Sequence, residues 1–175
     1  MKAQFWSFDV IFAMVIFSVT LAIVSLVWYN ISNQLALSNT GSIESMQLQA
    51  QGLAARLLEP GVPANWNSGV SVNNTVTWNN VSVGLTQSGS ALSTAKIAAL
   101  EGMSNYNYQA SKGAVGVGYD YYVIIKGNST GIGIGLNPNS YNAVTEQSAT
   151  AQATLNGFPV RVQVIVWTNS SFGVG

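Results

Sequence analysis

The sequence predicts an α+β protein, a long N-terminal hydrophobic helix followed by a globular, mostly antiparallel β-sheet domain. Three observations predict it. Residues 10–29 form an uncharged apolar run in which Ser18, Thr20 and Ser25 are the only polar side chains. Beyond it, Ile43, Met46, Ala50, Leu53 and Leu57 recur at helical spacing. From Val70 onward the apolar period becomes the alternation of strands, clearest over residues 149–166.

The run 10–29 has the length of a membrane-spanning helix, about 30 Å at 1.5 Å per residue. Trp28 and Tyr29 close it, where amphipathic aromatics favour the membrane–water boundary. A cleaved secretory signal fits less well, because such a segment has a short apolar core and a small-residue cut site. Lys2 is the only cation before the run and Arg56 is the next. The positive-inside rule therefore leaves the N-terminus in the cytoplasm and the C-terminal part outside. Residues 30–58 continue the helix with one apolar seam, and Gly41 is a point where the rod could bend. Glu59-Pro60-Gly61 ends it.

Residues 59–69 read as a linker and 70–175 as a β-rich domain. Val70/Val72 and Val76/Trp78 around Asn73-Asn74 predict a hairpin. Val81, Val83 and Leu85 predict a further strand. Ser93 is a fit N-cap, with Leu92 and Ile97 at the hydrophobic-staple positions and Gly102 suited to the helix end. Residues 119–126 read as a strand with apolar residues on both faces. Ala149, Ala151, Ala153 and Leu155, the turn pair Asn156-Gly157, and Val160, Val162, Val164 and Val166 predict the last hairpin. The small Ala row predicts a sheet face that the outer half of the N-terminal helix covers, making one α+β unit.

Composition excludes several classes. The 175 residues are 48% apolar and 7% charged, with six cations, six anions, no Cys and no His. Disorder combines low apolar content with high charge, which is not the case here. Six scattered cations cannot neutralise a nucleic-acid backbone. Without Cys or His there is no thiolate, no disulfide, no His-held metal and no His-activated nucleophile. Gly131–Gly135 alternates with Ile but matches neither GxGxxG nor a P-loop, so it reads as a glycine-rich strand or turn. Glu101, Asp120 and Glu146 are the acids from which a hydrolytic carboxylate pair would have to come. They show no patterning, and Asp120 between two tyrosines reads as solvent-facing. No enzyme, cofactor or metal site is expected. Sequons stand at Asn30, Asn73, Asn80, Asn128 and Asn169, a mild excess over what polar composition produces. Of these, Asn73, Asn80, Asn128 and Asn169 are the candidates for glycans. Asn30 adjoins the apolar run and is expected to stay unmodified in an assembled filament.

Lys2-Ala3-Gln4-Phe5-Trp6-Ser7-Phe8-Asp9, followed by the apolar run, resembles the start of an archaeal type IV pilin. The resemblance implies a short leader, here residues 1–4, cut by a prepilin peptidase just before the helix. Lys2, Ala3, Gln4 and Phe5 would form the processing site. Counting back from Ser7 and Asp9 makes Phe5 the first mature residue; counting from Lys2-Ala3 makes it Gln4. It implies an acid near the mature N-terminus, Asp9, that meets the new α-amino group of a neighbouring subunit. A buried pair of that kind fixes registry more than it stabilises. A plainer reading makes Asp9 a first-turn complement to the helix dipole. Residues 57–66, Leu-Leu-Glu-Pro-Gly-Val-Pro-Ala-Asn-Trp, echo a segment after the helix of pilin-like proteins, as do Gly84-Leu85, Lys96 and Arg161. Trp66 itself reads as a loop aromatic packed on the domain.

The functional expectation is a structural subunit of an archaeal type IV pilus-like filament at the cell surface, serving adhesion. Its partners would be itself, as a helical homopolymer, and the membrane before assembly. The resemblance adds a prepilin peptidase, an assembly ATPase and a membrane platform. Asp9 and the small residues Ala13, Ser18, Ala22 and Ser25 are the expected assembly contacts. The alternative is a signal-anchored monomeric surface protein that binds a ligand or envelope component.

Overall fold

The computed structural model describes residues 5–127 and 131–169, with the backbone alone at 5–7 and 33–41. Helix α1 runs Phe5–Leu57, close to the expected 5–58. The chain divides into two compact units, 1–41 and 42–174, and the division falls directly after Gly41. In the first unit α1 exposes every described side chain from Phe8 to Ser32.

In the second unit the last turns of α1 are amphipathic as the seam requires. Met46, Ala50, Leu53 and Leu57 are buried, and Ala54 joins them. Ile43, expected on the seam, remains 40% exposed. Further elements follow in chain order: α2 (Trp66–Gly69), a 3-10 turn (Thr75–Trp78), β1 (Thr86–Ser88), β2 (Ala91–Leu92), α3 (Thr94–Tyr106), α4 (Tyr108–Val115), β3 (Asp120–Lys126), β4 (Gly131–Gly135), β5 (Thr145–Leu155) and β6 (Phe158–Thr168). One six-stranded sheet has the order β1-β2-β5-β6-β3-β4. All its pairs are antiparallel except β2 with β5.

The β5–β6 hairpin is the one the sequence announces. Asn156 and Gly157 both have positive φ, 53° and 83°, the geometry of the tight turn that matches strand twist. Val160, Val162, Val164 and Val166 are buried on the return strand. Tyr121, Val123 and Ile125 of β3 continue that face, and Ile134 extends it onto β4. The outer half of α1 and this sheet face contribute to one core, in which Ala153 is buried and Ala149 partly so.

Three local expectations are corrected. Residues 70–78 do not form a hairpin. The Asn74 side chain accepts from the Val76 amide at 3.1 Å and starts a 3-10 turn. Trp78 is drawn into the core, and its Nε1 donates to the Ser71 carbonyl at 2.9 Å. Burying one indole with its N–H satisfied outweighs a two-stranded ribbon, which is marginal alone. Residues 81–85 make only a bridge between Ser82 and Val62, although Val83 and Leu85 are buried. Gly102 does not end α3, which runs on to Tyr106. A Cβ there would meet the Val72 side chain at 3.1 Å, so the glycine makes room for packing. Ser93 holds the N-cap position, without a side-chain bond, and both staple residues are buried.

The segment 59–69 is folded into the second unit. Gly61 has φ 81°, and its backbone meets Gly84 so closely that a Cβ on either would collide with main-chain atoms of the other segment. Trp66 is fully buried and donates from Nε1 to the Gly84 carbonyl at 2.8 Å, as expected of an aromatic packed on the domain.

Candidate membrane and assembly segment

One helix among the described residues is long and apolar enough to cross a membrane. It covers Phe8–Ser32, 25 residues, with a mean hydropathy of 2.8 in its most apolar stretch. At 1.5 Å per residue it is about 38 Å long, more than the hydrocarbon thickness of a bilayer. Its main-chain polar groups are bonded within the helix, which a lipid environment requires. Two of its hydroxyls are satisfied in the same way. Ser18 Oγ donates to the Met14 carbonyl and Thr20 Oγ1 to the Ile16 carbonyl, each at 2.8 Å. Trp28 and Tyr29 are 72% and 65% exposed near its C-terminal end.

Asp9 is exposed and is the fifth residue of α1. That places it one turn inside the helix, so the first-turn dipole reading is corrected. Dipole stabilisation fades beyond the first turn. Helical spacing divides the five expected assembly residues into two sets. Asp9 and Ala13 stand one above the other. Ser18, Ala22 and Ser25 share another face, about 160° around the axis at 3.6 residues per turn. All five are exposed. Lys2, Ala3 and Gln4 lie outside the described residues, and Phe5 opens α1. Among the sequons, Asn30, Asn73, Asn80 and Asn169 are exposed. Asn128 lies outside the described residues.

In the second unit the acids do not converge. Glu101 and Glu146 are exposed. Asp120 is not the solvent-facing residue expected. It is half-buried, 3.1 Å from Lys112 Nζ, and accepts from the Tyr108 hydroxyl at 3.2 Å. In the sheet register Asp120 stands opposite Trp167, and Trp167 opposite Glu146. The two acids are thus two strands apart, about 10 Å. The described residues contain no cluster of three metal-ligating groups. Gly131–Gly135 is strand β4, followed by a three-residue 3-10 turn at Pro138–Ser140 and not by an α-helix whose N-terminus could hold a phosphate.

Sequence reasoning missed two polar centres. Lys96 is 5% exposed, and its Nζ donates to the carbonyls of Pro60 at 2.7 Å and Thr86 at 2.8 Å. Burial holds this ammonium below the usual lysine pKa. The second centre surrounds Tyr121, whose hydroxyl is 3.0 Å from Ser111 Oγ and whose ring stacks on Tyr108 at 5.3 Å. Burial pushes both phenols above their ordinary range. Both centres join different elements of the fold, with Lys96 reaching Pro60 and Thr86 and α4 meeting β3 through Ser111 and Tyr121, contacts that no local period marks. A shallow groove of about 420 Å³ between the 3-10 turn and α4, lined by Trp78, Val81, Ala110 and Gly113 among others, holds no charged group.

No family model matches the chain, and no curated protein or solved structure is similar to it.

Proposed function

We propose that the chain is a structural, non-enzymatic subunit of an archaeal type IV pilus-like surface filament. One observation carries the proposal: a 25-residue apolar helix stretch, exposed throughout, with a single carboxylate at its mouth. Exposed apolar surface on this scale needs lipid or protein around it. In a monomer only lipid can supply that. In a filament, the helices of neighbouring copies replace the lipid. Small and acidic residues on two opposed faces suit a helix that is contacted from more than one side. The leader-like residues 2–5 supply the processing step, the membrane holds the subunit beforehand, and a peptidase, an ATPase and a platform serve assembly. The second unit, uncharged on most of its surface and bearing exposed sequons, is the adhesive part.

The test is the mass of the mature N-terminus together with electron microscopy of the surface fraction. The proposal expects an N-terminus at Gln4 or Phe5 in filamentous material. An intact Met1 on a protein that runs only as detergent-bound monomers would establish the anchored surface protein instead.

A further inference from the structure

The sheet register sorts the cations of the chain. Lys2 lies outside the described residues. Arg56 donates to the Val115 carbonyl, Lys96 is buried against Pro60 and Thr86, and Lys112 pairs with Asp120. The two that remain, Lys126 on β3 and Arg161 on β6, are direct cross-strand partners. The residues beside them in sequence, Ile125, Val160 and Val162, are buried. Both cations therefore stand on the face of the sheet turned away from the core. Both are exposed, and neither makes an ion pair among the described residues. Gly131 and Gln152 complete their row on β4 and β5, and the row contains no acid.

Like charges directly opposite each other destabilise a sheet, and the Cα atoms of this pair are about 5 Å apart. The sheet's two acids do not relieve the repulsion. Asp120 is six residues from Lys126 along β3, and Glu146 faces Trp167, six residues from Arg161. Each acid is thus about 20 Å away. The Asp120 end is also where α1 enters the second unit, since Ser45 Oγ is 3.0 Å from the Tyr119 hydroxyl. The cationic row occupies the opposite end of the sheet. Between the two ends the face is neutral. Ile124 and Gln163 are partners there, flanked by Gly133 and Thr150. A Cβ on Gly133 would collide with the Tyr122 ring, so that ring leans across the sheet instead of standing off it. A depression of about 230 Å³, lined by Ser148, Gln163 and Ile165 among others, is smaller than a pocket that encloses a ligand.

From this arrangement we propose that the outer sheet face binds an acidic polysaccharide, with a carboxylate or sulfate of the ligand held between Lys126 and Arg161. The inference rests on the reading of the second unit as the adhesive part and names its ligand. Charge complementarity selects an anion, which cancels a repulsion that the fold leaves standing. The rest of the face selects a saccharide. Strand addition needs a free edge and helix docking needs a groove. Here β3 and β6 are paired on both sides. An acidic peptide would use the cations alone and leave Tyr122, Gln163 and Thr150 without a role. A saccharide chain carries hydroxyls that Gln152, Gln163 and Thr150 can meet with hydrogen bonds. Its C–H groups suit the electron-rich face of the Tyr122 ring. Lys126 and Tyr122 are four residues apart on β3, about 13 Å, so the ligand is a chain and not a single sugar. Glu146 disfavours a further anion at the other end. Two cations hold one segment weakly, and many copies on one membrane or filament hold a polymer by multivalency.

The test places the full chain in vesicles of zwitterionic lipid and passes them over immobilised polymers. Hyaluronan offers carboxylate as its only anion, and keratan sulfate offers sulfate. Dextran is the neutral counterpart and polyglutamate the peptide one. The expected result is retention on at least one acidic saccharide, released by salt and at least tenfold stronger than on dextran or polyglutamate. Lys126→Gln combined with Arg161→Gln should lower that retention at least tenfold. The thermal midpoint of the double variant should stay level or rise, because the like-charge pair is gone. Tyr122→Leu should weaken retention on the saccharide and not on polyglutamate. Passage of the parent through both acidic saccharides, or undiminished retention of the double variant, would overturn the proposal. So would retention on polyglutamate as strong as on the saccharides, which would mark a surface for acidic proteins. The vesicles need neither a filament nor a cut N-terminus. Failure here therefore leaves the filament reading to its own test, and retention of an uncut monomer would keep this site while the filament reading fails.

Discussion

The Lys96 ammonium donates to the Pro60 carbonyl at 2.7 Å, and so ties α3 to the turn that ends α1. The same nitrogen reaches Thr86, a buried β1 residue whose amide donates to the Glu59 carbonyl at 3.2 Å. One cation thus satisfies carbonyls from two segments. Lys96→Met keeps the stem volume and removes the donor. The expected outcome is a loss of about 1–3 kcal/mol, the cost of leaving buried acceptors unpaired. Thermal unfolding of the full chain in micelles reads it. A Met variant as stable as the parent would mean that the stem, not the ammonium, matters.

Alkaline unfolding should follow the two buried phenols. In the unfolded chain a tyrosine loses its proton near pH 10. Folded Tyr108 and Tyr121 hold theirs to higher pH. Above about pH 10 the folded state therefore binds more protons, and stability falls as pH rises, by up to about 1.4 kcal/mol per unit for each phenol. Lys96, with its lowered pKa, has the opposite sign, because stability rises with pH between its folded value and about 10.4. Tyr121→Phe should flatten the decline above pH 10 by close to one proton. Denaturant midpoints at pH 9 to 11.5 check this.

Two glycines should respond in opposite directions. A Cβ on Gly84 would run into the main chain of Glu59 and Gly61. Gly84→Ala is expected to cost about 3 kcal/mol, at the upper end of overpacking, because backbone moves less readily than a side chain. Gly113 lies within α4, and a Cβ there meets nothing within 4 Å. Gly113→Ala should stabilise by about 0.5–1 kcal/mol. Equal shifts in melting temperature would contradict the described approach of the two segments.

Asp9→Ala tests the registry role. It should leave membrane insertion intact or improve it, because a carboxylate in a membrane helix costs on the order of 2.5–3.5 kcal/mol at the centre and less at the mouth. Assembly or N-terminal processing should fall. Membrane fractionation, the N-terminal mass and filament yield separate these effects. Normal filaments at normal yield would remove Asp9 from the mechanism.

Elements with a strong local period were legible in the sequence. The α1 helix ends within one residue of its expected limit because Pro60 and Gly61 forbid its continuation. The β5–β6 hairpin follows from Asn156-Gly157 and the alternating valines. Helix α4 was not legible, because Ser111 and Gly113 weaken its propensity. Its stability comes from distant partners. Tyr108 stacks on Tyr121, Arg56 Nη1 donates to the Val115 carbonyl at 2.7 Å, and Gly116 closes the helix with φ 76°.

The sequence by itself determined the α+β class, the long apolar helix and the terminal hairpin, because each is written in side chains that are neighbours along the chain. It also placed Asp9 and the small residues on that helix. Tertiary structure alone decided that Asp120 is tied to Lys112, that Lys96 is buried against carbonyls, and that Trp78, at the end of the 3-10 turn, is drawn into the core. It also decided that β4 stands at one end of the described strand order. The reason is physical. Local periodicity chooses a secondary structure, whereas buried polar groups and strand order are settled by the need to satisfy hydrogen bonds between segments that meet only when folded.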